Sequence, residues 1–361
     1  MKHCRLVSPD ELKDIFARHT RASGWLYIVA YKRLVGEYGF AGRTTIREWM
    51  RTWGIWRGEQ TRKGHQALGL EINMANLLSH WDSDAASTPE MREAWRNNPN
   101  GKFTPNCVKV TSKHGHYSCP QEELWEEQNF LYEAHVHCDE FHVKYTQGYC
   151  PNATVVVPEC MTKGDEACNF TFLRDPDAPE PPKLPLYEGE NPLADWKADT
   201  PQGQQACALR RKARITAGRI VFLWLAIKKH HPDRAEQLFD EIMDDWTRER
   251  GNDLKKFLLD NKLSNKISAD TFEYFDHPYF LTWNADIEEN DKEVRADIDY
   301  CPFAETWKWV AKENLPILQR GYCSVCYMNI FNRAFPGSNA VLSKCLLKGD
   351  NKCTIKISKS E

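Results

Sequence analysis

The chain has 361 residues, of which 41% are hydrophobic and 27% are charged, and its formal net charge is -3. These values exclude a disordered tail, a collagen-like fibre and a membrane channel, and they suit two domains of ordinary size. Lys and Arg are scattered among acidic residues, so we expect no nucleic acid as a partner. The longest apolar run, Ile220–Ile227, is too short to span a bilayer, so we expect no membrane partner either. The first residues contain no apolar stretch typical of a signal peptide, which favours a cytoplasmic location.

Each half of the chain begins with a helical pattern. Apolar and aromatic residues recur at three- and four-residue steps within 42–67, which predicts one long amphipathic helix. The stretch 218–247 predicts two helices, because His231-Pro232 interrupts it.

Strand patterns follow the helical patterns in each half. In the first half they are Val108–Val110, Thr154–Val157 and Phe170 with Phe172; in the second they are Ile298, Val341 with Leu342, and Ile355 with Ile357. The sequence therefore predicts an α+β fold, with a helical layer packed on an antiparallel sheet in each of two domains.

Three sequence blocks occur twice. Cys119-Pro120-x-x-Glu123-x-Trp125 recurs as Cys301-Pro302-x-x-Glu305-x-Trp307, and residues 138–168 align without gaps to residues 323–353. The second alignment matches three cysteines in each half: Cys138 with Cys323, Cys160 with Cys345, and Cys168 with Cys353. Trp53 and Arg57-Gly58 likewise match Trp246 and Arg250-Gly251. Repeated blocks in one order predict two homologous domains.

A proline-rich stretch separates the halves. Residues 175–187 contain five prolines, which disfavour helix and predict an extended linker. The predicted boundaries are 1–175 for the first domain, 176–205 for the linker and 206–361 for the second domain.

Taken together, these blocks resemble the L-2-amino-thiazoline-4-carboxylic acid hydrolases. The resemblance rests on the Arg-Gly pair, the Cys-Pro and Trp block, Cys138-Asp-Glu-Phe-His142, and Gly164-Asp165-x-x-Cys168-x-Phe170. It covers most of residues 15–172 and, more weakly, 207–357. The closing Cys-x7-Cys spacing also resembles, more distantly, the 4-vinyl reductase type of ligand-binding domain, some of which hold zinc. The first resemblance implies a hydrolase that opens a cyclic amidine ring at a C–N or C–S bond.

Cys138 and His142 are the first candidates for such chemistry. A spacing of four residues places both side chains on one face if the segment is helical. A thiolate on Cys138 would attack the ring carbon, and His142 would act as base and then as acid. Glu140 and Cys119 complete the candidate catalytic set. The candidate substrate-binding residues are Glu123, His135, His137 and Trp125.

Two of these assignments depend on local structure. His135 and His137 point to one side if they lie on a strand, where they join a cluster with His114, His116 and His142. Trp125 is either a structural residue or an aromatic wall for a flat ring.

A metal site competes for the same sulfur atoms. Cys119, Cys138, Cys160 and Cys168 are enough to hold Zn²⁺, and three of them with His142 are another set. An open coordination position on such a zinc would supply the attacking hydroxide. The cysteines are equally compatible with simple core packing.

The two halves differ at the candidate site. Tyr327 stands where the first half has His142, and Cys326 stands where it has Phe141. This favours an active first domain and a degenerate second one, acting on a small-molecule substrate. The alternatives are a zinc-containing binding or sensing module without turnover, and a scaffold. A homodimer is left open.

Overall fold

The computed structural model describes residues 6–79, 97, 103–113, 119–263, 266–274 and 282–359. The chain divides into two compact units. The first unit is Ser8–Asp199, and the second is Thr200–Glu361, with which Val7 also clusters. Within the described residues, no helix combines the length and the apolarity needed to cross a bilayer.

Two long helices open the first unit. Helix α1 is Pro9–Tyr38 and α2 is Phe40–Ala67, in agreement with the helix predicted over 42–67. Ser8 caps α1, since its hydroxyl accepts a hydrogen bond from the Glu11 amide at 3.2 Å. The helix ends at Gly39, whose φ of 55° is strained for any other residue type.

Three shorter helices follow among the described residues of this unit. They are α3 (Met74–Ser79), α4 (Pro120–Glu127) and α5 (Leu131–Tyr149). Glycines allow α2 and α5 to pack backbone against backbone. A Cβ atom on Gly58 would lie 2.1 Å from the Tyr145 carbonyl oxygen, and one on Gly148 would lie 2.2 Å from that of Ile55. This close approach fixes α5, which carries Cys138 and His142, against α2.

The sheet of the first unit is antiparallel. Its strands are β1 (Phe103–Thr104), β2 (Cys107–Lys113), β3 (Ala153–Glu159) and β4 (Ala167–Arg174), in the spatial order β1-β2-β4-β3. Between β3 and β4 the chain makes a 3₁₀ turn, Met161–Lys163, followed by Gly164 at a φ of 93°.

The second unit repeats this order of elements. Its helices are α6 (Pro201–His230), α7 (Ala235–Asp260), α8 (Pro302–Val310), α9 (Leu315–Leu318) and α10 (Tyr327–Ala334). Helices α6 and α7 confirm the predicted break at His231-Pro232. Between α9 and α10 the residues Gln319–Cys326 form a π-helix, which is a feature often found at functional sites.

The second sheet has the same topology as the first. Its strands are β5 (Asn284–Glu289), β6 (Glu293–Tyr300), β7 (Asn339–Lys344) and β8 (Cys353–Ser358), all antiparallel, in the order β5-β6-β8-β7. Alternate residues of β6, including Val294 and Ala296, are buried, as expected for a sheet with one face on the core. The predicted α+β fold with a helical layer on an antiparallel sheet is confirmed for both units.

Residues 175–199, which begin with the proline-rich stretch, have neither helix nor strand, and they pack on the first unit. Lys63 of α2 forms an ion pair with Glu190 at 2.7 Å, and the two side chains are 6% and 4% exposed. Trp196 lies against Gly64 and packs edge-on to the His65 ring at 5.0 Å. These contacts attach the stretch to the first unit as far as Asp199.

Candidate active site

Cys138 and His142 lie on α5, one helical turn apart. Cys138 is buried, and His142 is half-buried. The His142 ring packs edge-on to Phe170 of β4, with ring centroids 4.9 Å apart. Cys138 and His142 therefore have the helical spacing that was expected for them. Phe170 brings the sheet into contact with the imidazole of His142.

The four candidate cysteines of the first unit converge. Cys168 donates a hydrogen bond to Cys160 across an Sγ–Sγ distance of 3.7 Å, and the Met161 amide donates to Cys168 Sγ at 3.2 Å. The Cys138 thiol donates to Cys160 as well, and Cys119 lies near enough to Cys138 and Cys168 to affect them electrostatically. The turn Met161–Lys163 brings Cys160 and Cys168 together, because it reverses the chain between β3 and β4.

The negative charge of this cluster belongs on Cys160. Donation to Cys160, together with burial, raises the pKa of Cys138 and of Cys168. The same hydrogen bonds from Cys138 and Cys168, with one from Thr162, lower the pKa of Cys160. An activated Cys138 was expected to have a lowered pKa, and the structure gives it a raised one. Cys138 is the proton donor, and Cys160 is the thiolate.

The cysteines of the second unit repeat this pattern. Hydrogen bonds from Cys323 and Cys353 lower the pKa of Cys345, and the Leu346 amide donates to Cys353 Sγ at 3.3 Å. Burial raises the pKa of Cys301 to about 12. The two units therefore build the same thiol cluster from matching positions.

A cavity lies beside the thiol cluster of the second unit. It contains about 410 Å³ of space free of atoms, part of it open to solvent. Its wall includes three cysteines and two tyrosines: Cys301, Cys323, Cys353, Tyr322 and Tyr327. The rest of the wall is apolar and consists of Trp283, Ile298, Met328, Leu342 and Ile355. The charged sulfur of Cys345 is not among these lining residues.

Ring contacts show which residues of the first unit take the place of the two tyrosines. His137 packs against Trp125 at 5.3 Å and against Trp53 at 6.1 Å. It also lies 6.2 Å from the His142 ring.

Tyr322 makes the matching contacts in the second unit. Its ring lies 5.6 Å from Trp307, 5.9 Å from Trp246 and 5.5 Å from Tyr327. His137 thus corresponds to Tyr322, and His142 corresponds to Tyr327. The first unit has two imidazoles where the second has two phenols.

The structure corrects the interpretation of His135 and His137 as a strand pair. Both residues lie on helix α5, where a separation of two residues is a rotation of about 200°. His137 is 5% exposed, and its Nδ1 lies 3.1 Å from Met50 Sδ. His135 lies on the other side, next to the Tyr132 carbonyl oxygen. His137 therefore belongs to the aromatic core beside the site, and His135 does not. His114 and His116 lie outside the described residues.

The remaining candidates have separate positions. Glu140 accepts two hydrogen bonds from Arg51 of α2, at 2.6 and 2.9 Å, so its carboxylate is engaged in joining two helices. Glu123 is half-buried on α4. Trp125 is 1% exposed, and its neighbours include Tyr27 and His137, which is the environment of a structural residue.

A buried arginine beside each cluster was not identified as a site residue from the sequence. The guanidinium of Arg57 lies 5.1 Å above the Phe141 ring, and that of Arg250 lies 5.9 Å from both Tyr322 and Tyr327. Both arginines are 4% exposed. The repeat of the Arg-Gly pair in both halves of the sequence was the feature from which these two arginines could have been identified. Each places a positive charge behind the aromatic wall.

In the part of the chain that the structure describes, no group of three or more His, Cys, Asp or Glu side chains is arranged to hold a metal ion. The spacing of Cys160 and Cys168 alone is near the ~3.8 Å expected for two sulfurs on one tetrahedral zinc. One such pair does not make a zinc site. The four-cysteine zinc site therefore stays a prediction.

Neither the curated proteins nor the solved structures include a match to this chain. Residues 210–357, which lie in the second unit, match the family model described as L-2-amino-thiazoline-4-carboxylic acid hydrolase. This half of the chain is therefore similar to the L-2-amino-thiazoline-4-carboxylic acid hydrolases, a family of hydrolases. The sequence motifs indicated the same family, but they placed the stronger resemblance in the first half, outside the match.

Proposed function

We propose that the chain is a hydrolase that opens a small cyclic amidine-like substrate at a C–N or C–S bond, and that the first unit does this with Cys138 and His142. The observation that carries the proposal is the hydrogen bond from the Cys138 thiol to the Cys160 thiolate, one helical turn from an imidazole. Cys160 orients the Cys138 thiol and accepts its proton only as the bond from Cys138 Sγ to carbon forms, because the lowered pKa of Cys160 makes it a weak base toward the free thiol.

The first step forms a bond between Cys138 Sγ and the ring carbon of an amidinium substrate. The thiol proton passes to Cys160, and the electron pair of the C=N bond neutralises the nitrogen. The bond from this carbon to the leaving ring atom then breaks as the C=N bond re-forms. The leaving atom takes a proton from the imidazolium of His142.

Water completes the reaction. Neutral His142 removes a proton from water, whose oxygen displaces Cys138 Sγ from the carbon. Cys160 returns the proton to Cys138, and the extra proton of the amidinium passes to solvent. One water is consumed, and each enzyme group regains its starting protonation state.

The first test is ring opening of L-2-amino-thiazoline-4-carboxylate, followed by the appearance of the free thiol product. We expect His142→Ala to lower kcat by roughly 10² to 10⁴, because it removes proton transfer to the leaving atom. Cys138→Ser should lose activity to a similar extent. Circular dichroism checks that both variants remain folded.

The second unit offers matched controls. Tyr327→Phe and Cys323→Ser change the equivalent positions and should leave kcat within about twofold of the parent protein. Full activity of folded His142→Ala would contradict the proposal. Stoichiometric zinc that is lost with Cys138→Ser would also contradict it, because the sulfur would then be a ligand and not a nucleophile.

Catalysis in the second unit is the other candidate. It is favoured by the family match at residues 210–357 and by the cavity next to Cys323. The same four variants separate the two locations, because this candidate predicts that only Tyr327→Phe and Cys323→Ser lose activity. Absence of turnover in the parent protein would favour a binding or sensing module.

A further inference from the structure

We propose that the cavity of the second unit is a separate binding site for a small, uncharged ligand with one or two aromatic rings. This inference goes beyond the hydrolase activity, which we place in the first unit. The cavity is partly open to solvent, which gives a small molecule a way in. The shape and chemistry of its wall define the ligand class.

The wall of the cavity is apolar on its sheet side. Ile298 of β6, Leu342 of β7 and Ile355 of β8 line it, and β8 pairs with both of the other strands. Met328 lines it from helix α10 and is 3% exposed. A polarisable Met side chain adapts well to ligands of differing outline.

Aromatic rings supply the opposite side. Tyr322 stacks on Phe303 with centroids 4.7 Å apart and an interplanar angle of 11°, and Trp283 stacks on the same Phe303 at 5.6 Å. The stack fixes the orientation of both wall rings. Flat faces held in this way favour a planar ligand.

The sulfur atoms of the wall are uncharged near neutral pH. Burial raises the pKa of the Cys301 thiol, and donation to Cys345 together with burial raises the pKa of Cys323 and of Cys353. The charged sulfur of Cys345 is not part of the wall. Arg250 lies behind Tyr322 and Tyr327 and does not line the cavity. A charged ligand would therefore lose hydration without gaining a charged partner in the wall.

The first unit indicates which substitution would fill the cavity of the second unit. At the position of Ile355 it has Phe170, whose ring packs against His142 at 4.9 Å. A phenylalanine thus occupies the equivalent position in a unit of the same topology. Ile355→Phe is therefore a cavity-filling variant that this fold accommodates.

The test uses the whole chain with ¹³C-labelled methionine methyl groups and indole as the probe. Of the seven methionines, Met328 is assigned by the signal lost in Met328→Leu. We expect indole to shift the Met328 signal saturably. Ile355→Phe should weaken indole binding at least tenfold.

Val341→Phe is the matched control, because this residue of β7 is 44% exposed and does not line the cavity. It should bind indole within twofold of the parent protein. An unmoved Met328 signal, or unchanged binding by folded Ile355→Phe, would refute the site. Tighter binding of benzoate than of indole would refute the uncharged class. None of these readouts depends on turnover.

Discussion

Cys138 shows why the chemistry of a cysteine depends on its neighbours. Spacing alone made it the expected thiolate, with His142 as its partner. In the structure Cys138 donates a hydrogen bond to Cys160. Cys160 also accepts one from Cys168, and these two hydrogen bonds keep the negative charge on Cys160. The sequence identified the cluster of sulfurs but not the direction of proton donation, since that depends on contacts between α5 and the turn after β3.

Asp297 gives a pH-dependent prediction at the same scale. Partial burial raises the pKa of its carboxyl, but hydrogen bonds from Lys352, Thr354 and Arg295 outweigh burial and lower that pKa to about 2, from an ordinary value of 3.8. A depressed pKa in the folded state stabilises the protein above pH 4, and this contribution is lost as the pH falls toward 2.

We therefore expect Asp297→Asn to lower the free energy of unfolding by about 1 to 2 kcal/mol at pH 7 and by much less near pH 2. Denaturant unfolding at several pH values measures this difference. Asp299→Asn is the control, because this exposed residue lies on the same strand. An equal cost for Asp297→Asn at both pH values would contradict the assignment.

At the scale of elements, periodicity predicted the long helices well. Helix α2 begins two residues before the predicted start and ends where expected. Local patterns leave residues 131–149 undecided, since the spacing of Cys138 and His142 fits a helix and that of His135 and His137 fits a strand. Packing decides this segment: Gly58 and Gly148 bring α2 and α5 into backbone contact, and such contact between distant residues is invisible to local patterns.

The segment that follows the proline-rich stretch gives a stability prediction at the scale of elements. Glu190 pairs with Lys63, whose ammonium also lies 4.1 Å from the Tyr187 ring centroid. Glu190→Gln leaves a buried cation without its carboxylate, so we expect the free energy of unfolding to fall by about 3 to 5 kcal/mol. Denaturant unfolding measures the loss, and Glu188→Gln at an exposed neighbour should cost little. The double variant Lys63→Met, Glu190→Leu should recover part of the loss; no recovery would show that the charges are not its cause.

For the whole molecule, the division into two compact units predicts independent effects. The partners of Glu190 lie in the first unit, and those of Asp297 lie in the second. The free-energy losses of Glu190→Gln and Asp297→Asn should therefore add to within about 0.5 kcal/mol in the double variant. Denaturant unfolding of the two single variants and the double variant at pH 7 checks this sum, and a larger departure would indicate coupling.

The sequence by itself determined the α+β class, the long helices and the two sets of matching cysteines, because periodicity and motif spacing are local properties. The tertiary structure decided which groups meet. It placed Glu140 on Arg51, turned His135 away from His137, and set two imidazoles in the first unit where the second has two phenols beside a cavity. These outcomes depend on strand register and helix packing, which join residues far apart in the chain.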